Sequence, residues 1–160
     1  MPNAGDKVPS VTIKQATAEG PKDVDPAALF AGKKVVMFSL PGAFTPTCSN
    51  QHLPGYVAKL DEIKGRGVDI VACLSVNDAW VMKAWAEAHG ALGKIVMLAD
   101  GNAAFSKALG IEVDLSGPCM GQRCRRGLIT IEDGEITTVA MEAPGKLEVS
   151  GADACIASLA

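Results

Sequence analysis

The chain has 160 residues, 48% of them hydrophobic and 21% charged, with a net charge of −3. That is the balance of an ordinary globular protein, long enough to bury a core as one domain over 1–160. The charge gives no electrostatic reason for a nucleic-acid or anionic-membrane partner, and no apolar run approaches the roughly 20 residues of a bilayer span.

The opening MPNAGDKVPS lacks the basic segment and apolar stretch of a secretory signal, though a transit peptide already removed would leave no trace. KVVMFSL (34–40) and VDIVACLSV (68–76) are apolar, β-branched runs, predicting strands buried on both faces. Between them, Leu53, Val57, Leu60 and Ile63 mark one face of a helix over about 46–64, with a kink or irregular turn expected at Pro54-Gly55. NDAWVMKAWAEAHG (77–90) predicts a helix with Asn77 or Asp78 as its N-cap. IVMLA (95–99) reads as a third central strand, followed by a short helix over 102–110. LITIEDGEITTVAM (128–141) predicts a hairpin turning at Asp133-Gly134, and 150–160 a terminal helix with Ser150 as cap. The order implies an α/β fold: a central mixed sheet flanked by helices, with an antiparallel hairpin at one edge, compatible with a thioredoxin-like core.

Cys48, Cys73, Cys119, Cys124 and Cys155 are odd in number and irregular in spacing. That suits neither a disulfide framework nor a structural zinc site. It suits an intracellular reducing compartment with at least one chemically used thiol. In PGAFTPTCSN (41–50), Thr45-Pro46-Thr47-Cys48 reads as a cap, a proline at the first helical position and the first helical turn. Unpaired N–H groups and the positive helix end there favour thiolate over thiol. Buried cysteines are also commonly inert, and local chemistry alone leaves both readings open.

PGAFTPTC contains the PxxxTxxC pattern of the peroxiredoxins, and PGAFTPTCSNQHLPGY resembles the type II, or peroxiredoxin-5-like, subfamily. Similarity continues through VACLSVNDAWVMKAW, LADGNAAFSKALG and RCRRG, covering about 30–160. The resemblance implies a thioredoxin-like fold and a thiol-dependent peroxidase acting on hydrogen peroxide and small organic hydroperoxides, with no metal, haem or flavin cofactor. Cys48 would be the peroxidatic cysteine and pass through a sulfenic acid. Thr45 would orient the peroxide, and Pro41 would shield the sulfenate. An arginine from a later strand or loop would stabilise the charge, with Arg123 matching best; Arg125 and Arg126 are read as a solvated basic edge. Gly127 stands where relatives usually carry an aromatic residue, so looser packing beside Arg123 is expected. Cys119, Cys124 and Cys155 fall where the family leads one to expect other residues.

The family's cycle also needs a resolving thiol. Cys73 resembles the second cysteine of plant type II members, yet a cysteine in a buried strand is usually structural, and pairing with Cys48 would require local unwinding. Cys155 lies near, but not on, the resolving position of animal relatives, whose counterpart is about Ser150 or Gly151. Otherwise external glutathione, glutaredoxin or thioredoxin must act. His52, one turn after Cys48, is read as structural or at the pocket edge rather than as a general base. Trp80, in a segment that contributes a dimer contact in the family, is either a homodimer contact or core; Trp85, five residues on, does not share its stripe. A peroxide sensor or redox relay would use the same Cys48 chemistry, whereas a non-catalytic binding module would not need Pro41, Thr45, Cys48 and an arginine together. The compartment implied is the cytoplasm, or an organelle matrix or stroma if a transit peptide has been removed.

Overall fold

The structure, a computed structural model, describes residues 1–159. Strands β1 (Ile13–Thr17), β2 (Gly20–Val24), β3 (Lys34–Ser39), β4 (Ile70–Ser75), β5 (Val96–Ala99), β8 (Gly127–Glu132) and β9 (Glu135–Met141) form one sheet. Their order is β2-β1-β5-β4-β3-β8-β9. β3, β4 and β5 are parallel, and antiparallel hairpins close both edges. β6 (Glu112–Leu115) and β7 (Gly121–Cys124) make a separate two-stranded hairpin.

Alternation along the central strands divides the core in two. Val36, Phe38, Leu40, Val71 and Cys73 face the layer built by α2 (Leu53–Lys64), α3 (Ala79–Ala88) and α5 (Ala152–Ser158). Val35, Met37, Ala72 and Leu74 face Phe30 of α1 (Pro26–Phe30) and Phe105 of α4 (Ala104–Leu109). Such burial on both faces is what continuous apolar runs specify. Among the described residues, no helix is long and apolar enough to cross a membrane.

The 34–40, 68–76, 95–99 and 128–141 runs form strands as expected, and Asp133 and Gly134 both take positive φ (47° and 75°), as the two-residue hairpin turn requires. Asp78 caps α3, accepting from Val81 N–H at 2.8 Å; Asn77 instead holds the Ala43 N–H (3.0 Å) and the Ser75 hydroxyl (2.7 Å). At Pro54-Gly55, where a kink or irregular turn is expected, α2 runs on as regular helix from Leu53 to Lys64. Pro54 lies in the first turn of α2, where its missing N–H and fixed φ are tolerated. The irregularity lies just upstream, in a π turn over Cys48–His52 closed by Leu53 N–H on the Cys48 carbonyl. Ser150 does not cap α5; Gly151 holds that place, and the Ser150 hydroxyl turns to Glu142.

Candidate active site

Cys48 sits at the head of the helix that leaves β3. The loop 40–45 is pinned before it: Leu40 N–H donates to Leu74 C=O (3.1 Å), and Asn77 holds Ala43 N–H. A Cβ at Gly42 would stand 2.9 Å from Arg123 Nη1 and 3.2 Å from Thr45 Cγ2, so the glycine leaves room for both side chains. The first helical bond runs from Ser49 N–H to Thr45 C=O at 2.9 Å. Thr47 and Cys48 therefore lead the ladder, at the positive end of the helix. Cys48 itself is fully buried. Thr45 is half-buried, and its hydroxyl donates to Gly42 C=O at 2.7 Å, which leaves the oxygen's lone pairs able to accept.

The guanidinium on Cys48 belongs to Arg126, whose Nη2 donates to Sγ at 3.0 Å. Its Nη1 donates to His52 Nδ1 at 2.8 Å. Arg123, expected in that place, lies elsewhere: Nη1 donates to Pro41 C=O (3.1 Å) and Nε to Met120 C=O (2.9 Å). Strand parity accounts for the difference. Leu128 points into the core layer that holds Cys48, whereas Ile129 and Ile131 point into the other. Arg126 shares Leu128's parity, so the alternation through LITI was the available signal. The solvated-edge reading of Arg126 is therefore corrected.

His52 is buried and its ring packs beside Phe38 and Tyr56. Its Nε2 meets the Ser150 carbonyl at 3.0 Å, a carbonyl that also accepts from the Tyr56 hydroxyl at 2.7 Å. Burial drives its pKa from 6.5 down to about 4; the Ser150 bond opposes this and the Arg126 charge adds to it. Glu142, Ser150 and Tyr56 were not anticipated from the sequence as parts of this network.

Cys73 and Cys155 are buried in the same core layer as Cys48. Burial pushes the Cys73 thiol well above its ordinary value and Cys155 up to about 11. Cys124 lies in the other layer, donating to Leu40 C=O at 3.1 Å, and burial raises it to about 12. Cys119 is exposed in the β6–β7 turn with φ 62°. At Gly127, where relatives usually carry an aromatic residue, Met141 occupies the space, its Sδ 2.4 Å from where a Cβ would stand. A largely apolar cavity of about 220 Å³ is lined by Pro41, Thr47, Leu115, Arg126, Glu142 and Pro144, beside the arginine that holds Cys48. Among the described residues, no three His, Cys, Asp or Glu side chains cluster as a metal site would need.

A parallel-centred sheet that delivers a buried cysteine to a helix N-terminus, faced by a half-buried arginine, defines a thiol-based redox protein. Comparison with known proteins agrees. The Redoxin family model matches residues 3–156. Peroxiredoxin-2E-2, chloroplastic, of Oryza sativa subsp. japonica is 45% identical over 97% of this chain and 71% of its own length. Reduced Prx3 of Vibrio vulnificus in complex with H2O2 is 50% identical with a TM-score of 0.95, over 100% of both chains. Peroxiredoxin 5 of Alvinella pompejana is 36% identical with a TM-score of 0.85, over 98% of this chain and 97% of its own. The chain belongs to the type II peroxiredoxins of the redoxin family, with their thioredoxin-like fold, and is a thiol-dependent peroxidase.

Proposed function

We propose that Cys48 is the peroxidatic residue and that hydrogen peroxide and small organic hydroperoxides are its substrates. The observation that carries this is the Arg126 Nη2–H to Cys48 Sγ bond at the head of the helix. The Cys48 thiolate attacks one peroxide oxygen, forming S–O as O–O breaks. Sulfur is oxidised by two electrons to the sulfenic acid, and the leaving oxygen takes a proton and departs as water or alcohol. Arg126 follows the negative charge from sulfur to the leaving oxygen. Thr45, its own proton given to Gly42, offers a lone pair to the peroxide O–H and so orients it. Pro41, lining the cavity beside Arg126, shields the sulfenate from water. The H2O2 complex of the Vibrio vulnificus relative supports the substrate assignment.

Resolution falls to an external thiol, namely glutathione, glutaredoxin or thioredoxin. Attack on the sulfenate forms a mixed disulfide and water, and a second thiol then returns Cys48 to the reduced state. Cys73 and Cys155 are buried with their thiols pushed up, so neither supplies a ready thiolate to the sulfenate. Phe44 (58% exposed) and Trp80 (70%) rise from two segments tied by the Ala43–Asn77 bond, and they suit a homodimer contact. An intracellular reducing compartment suits the free thiols.

Stopped-flow mixing of the reduced protein with one equivalent of H2O2, followed by thiol mapping, tests the reading. Oxidation confined at first to Cys48, abolished in Cys48→Ser and intact in Cys73→Ser, is expected. Oxidation no faster than that of a free thiol overturns it. A Cys48–Cys73 disulfide forming before reductant is added transfers resolution to Cys73.

A further inference from the structure

The mechanism uses Arg126 but leaves a buried carboxylate unassigned. Glu142 follows β9 and is 5% exposed. Its Oε2 accepts from Glu148 N–H (2.9 Å), Val149 N–H (2.8 Å), Ser150 N–H (2.8 Å) and the Ser150 hydroxyl (2.6 Å), with Oε1 sharing the Glu148 bond at 2.9 Å. Three consecutive backbone donors on one carboxylate fix the conformation of 148–150. Burial pushes this carboxyl's pKa up, but the Ser150 hydroxyl and the three N–H groups outweigh it, and the net position is below the ordinary value. The main-chain N–H of Glu142 meanwhile donates to the Arg126 carbonyl at 2.9 Å, so the residue is tied to the arginine's own backbone.

What the carboxylate fixes is the Ser150 carbonyl, which is fully buried and accepts from His52 Nε2 and Tyr56 OH. A carbonyl can only accept, so His52 must carry its proton on Nε2. A guanidinium can only donate, so His52 Nδ1 must be bare to accept Arg126 Nη1–H. The two partners together admit one state of the ring: neutral, with the proton on Nε2. With Nη1 held by that lone pair, the planar guanidinium can turn only so far, and Nη2 is aimed at Cys48 Sγ.

We propose that Glu142 is a positioning residue for the peroxidatic centre: it holds the Ser150 carbonyl, which sets the His52 tautomer, which in turn orients Arg126 on Cys48. The proposal rests on the reading of Arg126 given above. It predicts that Glu142 matters to the rate only through the arginine, which a merely structural carboxylate would not do.

A double-mutant cycle on the rate of Cys48 oxidation by H2O2 separates the two. Glu142→Gln keeps the side-chain shape but not the charge. It should slow oxidation by about tenfold, the size expected when a hydrogen bond to a charged group is lost. In an Arg126→Lys background, itself slow, the same change should alter the rate by less than about twofold. If Glu142→Gln fails to fold, His52→Phe takes its place, since Tyr56 still satisfies the Ser150 carbonyl; the same pattern is expected. ¹⁵N NMR of the wild-type ring should find Nδ1 bare and Nε2 protonated, and that signature should mix with the other tautomer in Glu142→Gln. A full rate in Glu142→Gln with Arg126→Lys slow, equal slowing in both backgrounds, or a proton on Nδ1 overturns the relay alone. A full rate in Arg126→Lys overturns the arginine reading, and the relay falls with it.

Discussion

The Trp85 indole N–H donates to the Ser49 hydroxyl at 3.0 Å, joining the buried face of α3 to the residue that follows Cys48. Trp85 is fully buried, whereas Trp80 on the same helix is 70% exposed. Only the first can sense the π turn directly. If Cys48 is the residue oxidised, as proposed, the new oxygen is added at the start of the π turn that Ser49 belongs to, and the change in tryptophan fluorescence should come from Trp85. Trp85→Phe should abolish the stopped-flow amplitude and Trp80→Phe should leave it. Ser49→Ala should reduce the amplitude and lower stability by about 1 kcal/mol, the net worth of a typical hydrogen bond. An amplitude that survives in Trp85→Phe would place the signal on Trp80.

Arg123 and Arg126 are three residues apart and make different contacts, so their removal should have different consequences. Arg126→Ala deletes the donor on Cys48 Sγ and should slow peroxide oxidation by about 100-fold, the order of loss for one charge-stabilising donor. Arg123→Ala deletes props beneath the Pro41 and Met120 carbonyls. It should lower stability by roughly 1 kcal/mol and slow oxidation by no more than about threefold. Second-order rate constants with H2O2 and urea melts of both variants check the pair. A larger rate loss in Arg123→Ala would return the charge role to that residue.

The same pair marks where the sequence stops being legible. Apolar runs such as VVMF, and the Asp133-Gly134 turn, announce themselves because each signal is local and periodic. So does the PxxxTxxC stretch, whose loop and helix start are contiguous. The β1–β2 and β6–β7 hairpins do not. GPKDV and EVDL are mostly exposed or half-exposed, so neither has a buried face to impose alternation. The Arg126 assignment needed the parity of β8 carried back past its first residue. The Ser150 bond to His52 spans 98 residues, and no pattern within either segment points to it.

Acid should expose the buried imidazole. His52 in the fold takes a proton only at about pH 4, while in the unfolded chain it does so near 6.5. Between those values the unfolded state binds the extra proton, so stability falls as pH falls. By pH 4.5 the loss from this group should be about 2–3 kcal/mol relative to pH 7.5. Glu142, held below its ordinary value, loses its contribution only as pH falls through its own lowered midpoint, so the window from 6.5 to 4.5 belongs to the histidine. Urea unfolding at both pH values should show that excess loss in the wild type and not in His52→Phe. Parallel pH profiles would mean that the ring is not held neutral by its surroundings.

Gly127 and Met141 are cross-strand partners on β8 and β9, and they have divided one space between them. A Cβ at 127 would stand 2.4 Å from Met141 Sδ and 3.1 Å from the Ala140 carbonyl oxygen. Gly127→Ala should therefore cost about 1–3 kcal/mol by overpacking. The methionine is flexible and half-buried, so much of that is relieved if its side chain can leave. Met141→Ala alone should also destabilise, by loss of buried apolar area. The double variant should be more stable than the sum of the two losses predicts, with a coupling of about 1 kcal/mol in the favourable direction. Urea melts of the four proteins measure it. Simple additivity would mean that the Ala140 carbonyl, which cannot move aside, sets the limit at this position, and that the glycine answers to the backbone of β9 rather than to the methionine.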